Sequence, residues 1–556
     1  MIDETDAAGE TPDAGDPSAA ETTETAAASV DAETSETSET SETSETSAAP
    51  AADTTPTEVV DAAATDTTSP EAPAPESLVP AKSGALAAIA AFARTHRLPL
   101  MIAGGVIAFG LIGSGAVAAG IASNGGGAAS AALATTTPTP TPTADPARPV
   151  PEAVAAASRL RTCSVAELAA DGRLANFQAQ VMNAATGEVL YDRGGATPSR
   201  TASVMKVLTS AAALSVLGPD YRTPTTVVKG SEPGSVVLVG GGDATLSRTS
   251  SGTETVYPGA AHLDDLAAQV EAAWDADPAN PPMTKLILDA SYFGGDEWEP
   301  SWNLKERDDG YMSNIAALMV DGDRDEPGSN TSWRSDDPVG RAGDAFADEL
   351  GGIDVIERGV APAGAQQLGQ VQSPTVAQLV DKALVVSDNT AAEMLARLVA
   401  IETGSGNTFG AINAGVLEGL AAYGIDTTGI TIVDGSGLSD NNAVPPSYLT
   451  RLFVKINARE GNLGVLMDGL PVSGERGSLS YDDRFSGDNS VADGAVSAKT
   501  GWIDTGYTLS GVVRAEDGST LTFAIYALGD VTDEAKQAID TLTTGFFRCG
   551  DNLSNQ

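Results

Sequence analysis

The chain is 556 residues long and carries 76 Asp and Glu against 31 Lys and Arg, with two His and two Cys. A net charge of −45 argues against nucleic acid as a partner, because neutralising phosphates takes clustered Lys and Arg. Two histidines, His96 and His262, exclude a His-rich zinc site, and two distant cysteines make no metal knuckle, so no metal and no cofactor is expected.

Residues 1–80 hold 20 of the acidic residues and no Lys or Arg, and they repeat Glu-Thr-Ser five times between Glu33 and Ser47. Ala, Thr, Ser, Glu, Asp and Pro offer too little apolar surface to offset the entropy of ordering, so a disordered acidic tail is expected. Leu98 to Ala122 has no charged residue. Its length, at ~1.5 Å per residue, spans about 37 Å, enough to cross a ~30 Å hydrocarbon core with tilt. Lys82, Arg94 and Arg97 precede it, and no basic residue follows until Arg148. The positive-inside rule then puts the N-terminus in the cytoplasm and everything after residue 122 outside, on an uncleaved single-pass membrane anchor. A buried core helix is the plainer alternative, but low-complexity sequence on both sides leaves it no core to join. Residues 123–151, Gly/Ala-rich and then Thr-Pro alternating from Thr135 to Thr143, form an extended spacer.

Folded sequence is expected from Glu152 to about Gly550. Cys163 and Cys549 sit near its two ends, and outside the cell such a pair is expected to close a disulfide rather than remain as two buried thiols. Phe177–Asn183 and Glu188–Asp192 alternate around Ala185-Thr186-Gly187, a hairpin signal. Ala202–Leu217 reads as a helix stopped by Gly218-Pro219, and Ala261-His262-Leu263-Asp264 as the start of a surface helix. The loop Asp321-Gly322-Asp323-Arg324-Asp325 lacks the Gly and Glu that a calcium loop needs at its sixth and twelfth positions, where Glu326 and Ser332 stand. It reads as a solvated acidic turn. Val376–Val386 and Thr390–Ile401 are expected helices, Ser497–Lys499, Tyr507–Arg514 and Leu521–Leu528 expected strands, and a closing helix runs from Thr532-Asp533-Glu534 toward Phe547. Strands first and last with helices between suggest a sheet assembled from both chain ends.

Three short motifs carry chemistry. Ser203-Val204-Met205-Lys206 opens a helix, where positions i and i+3 share a face and bring hydroxyl and amine together. A Lys whose pKa is depressed can take the Ser proton, and burial or a second cation would depress it. Ser387-Asp388-Asn389 lies at a helix junction, where its plainest meaning is capping. Lys499-Thr500-Gly501 opens a strand, supplying positive charge and, at Gly501, room for a ligand backbone. Each motif alone is common; the order Ser-x-x-Lys, Ser-x-Asn, Lys-Thr-Gly is the signature of penicillin-recognising acyl transferases.

On these motifs the chain resembles the low-molecular-mass class C penicillin-binding proteins, the D-alanyl-D-alanine carboxypeptidase/endopeptidases of the S13 peptidase family. Family-like segments recur in order at Leu238–Leu246, Leu288–Phe293, Tyr311–Leu318, Asp434–Ser439 and Leu470–Gly474. Arg200-Thr201-Ala202 before Ser203 and Val204-Met205 after it depart from the family pattern. The resemblance implies an α/β (α+β) fold: a β-lactamase/transpeptidase-like domain, an antiparallel sheet with helices on both faces, from 152–224 and 366–550. A β-rich domain would be inserted at 225–365. It implies Ser203 as nucleophile and Lys206 as its base, Ser387 and Asn389 in proton relay and substrate orientation, and Lys499 as positive potential. Thr500, Gly501 and Trp502 would bind substrate, with the N–H groups of Ser203 and Trp502 as oxyanion hole. The implied substrates are peptidoglycan stem peptides, with β-lactams as covalent inhibitors. A β-lactamase and a non-catalytic β-lactam or peptidoglycan sensor stay open as alternatives.

Overall fold

The computed structural model describes residues 159–555. The expected tail, anchor and spacer lie outside the described residues, and among the described residues no helix is long and apolar enough to cross a membrane.

Along the chain come strands β1 (Asn176–Asn183) and β2 (Val189–Arg193), helix α1 (Met205–Val216), strands β3 (Pro224–Lys229) and β4 (Ser235–Gly240), helix α2 (Leu263–Asp275) and strand β5 (Lys285–Asp289). A short helix α3 (Lys305–Asp308), helix α4 (Pro338–Glu349) and strands β6 (Val355–Arg358) and β7 (Gln367–Gln372) follow. Helices α5 (Val376–Val385), α6 (Asn389–Glu402), α7 (Ile412–Ala421), α8 (Pro446–Asn457) and α9 (Leu463–Gly469) lead to β8 (Val496–Ile503), β9 (Gly506–Arg514), β10 (Thr520–Leu528) and the closing helix α10 (Glu534–Cys549).

The first sheet is antiparallel throughout, in the order β2-β1-β10-β9-β8, so both chain ends meet in it as expected. Alternation along β10 explains why helices cover both faces. Phe523 and Ile525 pack with Leu542 and Phe546 of α10, while Ala524 and Tyr526 pack with Tyr448 and Leu452 of α8. A strand buried on both sides is apolar at nearly every position, and in Leu521–Leu528 only Thr522 and the Tyr526 hydroxyl are polar. Each such fully buried large side chain contributes roughly 1.5–3 kcal/mol over leaving it in water. The disulfide Cys163–Cys549 closes with Cα atoms 5.4 Å apart and ties the segment before β1 to the end of α10.

The second sheet, β6-β5-β4-β3-β7, corrects the expected β-rich insertion. β4, β5 and β6 run parallel, and parallel neighbours need crossovers; α2 and α4 supply them and fill one core with the sheet. The insertion is therefore itself α/β. β7 pairs with β3, so this sheet runs on to Gln372, past the expected boundary at 365. Nor is the insertion separate from the rest: Phe293, Trp302 and Met312 pack in the same core as α1, α6 and α8.

The turn at Asp321–Asp323 corrects a second expectation. Asp321 and Asp323 are fully buried, not solvated, and both hold the left-handed region (φ 52° and 60°) around Gly322. Arg248 pairs with Asp321 at 3.3 Å and Arg341 with Asp323 at 3.2 Å. Burying those carboxylates without such partners would be prohibitive.

Candidate active site

Ser203 stands in a single 3-10 turn (Ala202–Val204) that leads directly into α1. The helix behind it is buried without interruption from Met205 to Leu214, which makes it a fixed central post. Ala202 holds a left-handed φ of 45°, and Gly437 (φ 90°) lies against the Ala202 carbonyl so closely that any Cβ there would collide with it. The turn that carries Ser203 is thus held from outside by the 434–439 loop.

Lys206 Nζ has three neighbours: Ser203 Oγ at 2.8 Å, Asn389 Oδ1 at 2.7 Å and the Ser436 carbonyl at 2.8 Å. Two of them can only accept. A neutral amine has two hydrogens and one lone pair, so the carbonyls take both hydrogens and the lone pair faces the Ser203 hydroxyl. Burial lowers the Lys206 pKa to about 8, against the opposing pull of Asp434, Glu393, Asp388 and Glu306. Glu393, one turn along α6 from Asn389, accepts the N–H groups of Gly435 and Ser436 at 2.9 and 2.6 Å. Asp434 accepts from Gly437, Ser439, Asn442 and the Trp302 indole. These two buried carboxylates fix the loop whose carbonyl orients Lys206.

Ser387 precedes α6 with a left-handed φ of 62°, a conformation that costs a non-glycine residue about 1–2 kcal/mol. Asp388 caps the helix, its carboxylate accepting from Ala391 N–H at 2.9 Å. Asn389 donates one amide N–H to the Tyr311 carbonyl at 3.1 Å, an orientation consistent with its Oδ1 facing Lys206. Lys499, on β8, donates to Ser387 Oγ at 2.9 Å and to the Thr500 carbonyl at 2.7 Å. Burial, with Lys206 and Arg484 nearby, holds its pKa well below the ordinary lysine value.

One cleft of about 500 Å³ is lined by Ser203, Ser387, Asn389, Thr500, Gly501 and Trp502. With Lys206 and Lys499 bonded to its lining, all eight residues expected at the catalytic and binding positions converge there. Gly501 is demanded by packing: a Cβ would collide with Thr508 Oγ1 and crowd the Thr201 carbonyl. Trp502 lies at the rim, 46% exposed, beside Tyr507. His262 precedes the first residue of α2 and is absent from this lining.

Four participants escaped the sequence reading. Ser478 shares a 2.7 Å hydrogen bond with Thr500, placing two hydroxyls side by side in the cleft lining. Glu393 and Asp434 act beneath Lys206, and Glu306 enters the cleft wall with its pKa raised by burial. Ser478 and Asp434 adjoin or belong to segments noted above as family-like. Glu393 and Glu306 have no such signal.

Residues 161–332 and 323–546 match the model of the D-Ala-D-Ala carboxypeptidase 3 (S13) family. Carboxypeptidase DacB of Mycolicibacterium smegmatis is 37% identical over 383 residues, covering 67% of this chain and 80% of that protein. The D-alanyl-D-alanine carboxypeptidase of an Actinomadura species is 28% identical over 431 residues, covering 62% of this chain and 76% of that one. Among solved structures, penicillin-binding protein 4 of Haemophilus influenzae superposes with a TM-score of 0.56 at 20% identity, covering 67% of this chain and 96% of that one.

Proposed function

The chain belongs to the S13 family of D-Ala-D-Ala carboxypeptidases and is a serine carboxypeptidase/endopeptidase of peptidoglycan; from that premise we propose how its cleft divides the work. Ser203 Oγ attacks the carbonyl between two D-alanine residues while Lys206 takes its proton. The observation that carries this is the Lys206 amine, whose two carbonyl acceptors leave its lone pair for Ser203 alone. A lysine brought to about 8 is close enough to neutrality to act as base and still return a proton. Asn389 orients the substrate amide, and Ser387, hydrogen-bonded to Lys499, passes the proton to the departing amine.

Thr500 and Ser478 offer their paired hydroxyls to the terminal carboxylate, under the positive potential of Lys499. The N–H groups of Ser203 and Trp502 receive the oxyanion. Water then releases the acyl-enzyme. A β-lactam presents the same carbonyl within a ring whose leaving group stays attached, and it esterifies Ser203. The described part is carried outside the membrane by the 98–122 anchor; the disulfide between its ends accords with that compartment.

Fluorescent penicillin with intact-mass analysis tests the reading. A single adduct on the folded enzyme, absent from Ser203→Ala, is expected; an adduct that survives the substitution moves the nucleophile elsewhere.

A further inference from the structure

The buried turn at Asp321–Asp323 has no part in the chemistry above, yet it points its next residue at the middle of the second motif. Arg324 Nη2 meets Asp388 Oδ2 at 2.7 Å, with the two side chains 2% and 1% exposed. Its Nη1 donates to Tyr257 Oη at 2.7 Å, and that hydroxyl lies 3.4 Å from Asp388 Oδ1. Arg334 lies behind, held by the carbonyls of Gly322 and Gly310. Two non-glycine residues in a row of three left-handed ones make this a strained turn, and strain of that kind persists only where its surroundings enforce it.

We propose that Arg324 is a positioning residue for the reaction: from the inserted segment it holds Asp388, and through Asp388 the placement of Ser387 and Asn389. The proposal rests on the roles given above to those two side chains. Asp388 is the one residue between them, its carboxylate is committed to Arg324 and to the α6 N-terminus, and the left-handed Ser387 depends on a fixed neighbour. The insertion grips the motif at a second point through the Tyr311 carbonyl on Asn389. A loop gripped on both sides by a segment that joins the chain between the first and second motifs makes the insertion part of the catalytic frame.

The pair also has an electrostatic consequence. Lys206 is faced by Asp434, by Glu393 and Asp388 at α6, by Glu306 on α3 and by Lys499 on β8. Asp388 is itself faced by Arg324, Lys382 and Arg334, with Tyr257 against it, and although burial opposes ionisation, Arg324 holds its carboxyl below the ordinary range. With Arg324 in place, Asp388 reaches Lys206 as half of a neutralised pair. Without it, only Lys382 and Arg334 face the Asp388 charge, the Lys206 pKa rises, and the free base forms only at higher pH.

The test uses the full chain and the second-order rate constant for acylation by a fluorescent penicillin as a function of pH. Arg324→Met should lower it by about tenfold to a hundredfold, the cost of a small misplacement of reacting groups. The acid limb should move up by about half a pH unit. Asp388→Asn should move that limb down. The double variant should restore its position and lose no more rate than the worse single, because both changes act on one element. Should Arg324→Met fail to fold, Arg324→Lys is measured instead. It keeps the charge but cannot reach Tyr257 and Asp388 together, and a several-fold loss is expected. A folded Arg324 variant with the wild-type rate and pH profile overturns the proposal, as does a double variant whose losses multiply. Absence of any Ser203 adduct in the wild type would instead refute the assignment of the cleft.

Discussion

At the scale of single residues the proposed chemistry reduces to the protonation of Lys206. Its pKa lies near 8 because burial penalises the ammonium more than the surrounding carboxylates reward it. Only the free amine can accept the Ser203 proton, so acylation should climb by about tenfold per pH unit on the acid side and level off above pH 8 or so. Lys206→Arg keeps the charge but cannot shed it in any accessible range, and labelling should fall by roughly 10²–10⁴. A wild-type profile flat from about pH 6 to 9 would contradict the assignment of the base. Ser203, Lys206, Ser387, Asn389 and Lys499 were legible because their order along the chain matched a family signature. Arg324 was not: four charged residues in Asp321–Asp325 read as solvent-facing, as Asp325 is, until Arg248, Arg341 and Asp388, all distant in sequence, supply the partners that bury Asp321, Asp323 and Arg324. Glu393 escaped for the same reason, since its partners are backbone N–H groups of a remote loop.

At the scale of elements, regular pieces followed their pattern and the irregular ones did the positioning. The hairpin, α5, α6 and the last three strands fall within a few residues of where periodicity and caps put them. The helix expected from Ala202 instead begins at Met205, because a 3-10 turn with a left-handed Ala202 aims Ser203. β7, Gln-Leu-Gly-Gln-Val-Gln, is a polar edge strand with one fully apolar register position buried, so its pattern was too weak to read and the insertion was cut short. The 434–439 loop gives the element-scale prediction. Gly437→Ala adds a Cβ against the Ala202 carbonyl at a φ that alanine avoids, pushing loop and nucleophile turn apart. Acylation should drop by about tenfold, with stability falling by roughly 1–3 kcal/mol. Gly424→Ala is the control: its φ is also positive (65°) but a Cβ there meets open space, so it should lower Tm and leave acylation alone. Equal labelling losses in both variants would mean that backbone strain, and not the contact with Ala202, is responsible.

At the scale of the whole molecule, the catalytic sheet is closed by strands from opposite chain ends, with the second and third motifs and the insertion lying between them. Sequence order could suggest that closure but not the mixed sheet of the insertion, because strand direction depends on crossovers whose helices look alike in either topology. Helix α10 links closure to cleft: Asp533, Lys536 and Ile539 line the cleft at its start, and Cys549 carries the disulfide at its end. At ~1.5 Å per residue that helix separates the two by roughly 20 Å. The bridge spans 386 residues, so in the chain-entropy account it acts mainly by restricting the unfolded chain, and its removal should cost about 2–5 kcal/mol. Cys163→Ser with Cys549→Ser should therefore lower Tm by several degrees while acylation measured well below that Tm stays at the wild-type rate. The backbone bonds that accompany the bridge, Cys163 N–H to the Asn552 carbonyl and Ser554 N–H to the Cys163 carbonyl, keep the ends paired in the folded state without it. An acylation rate that falls in the double variant while Tm is unchanged would show instead that the bridge sets the position of α10 at the cleft, and that chain closure is part of the active site.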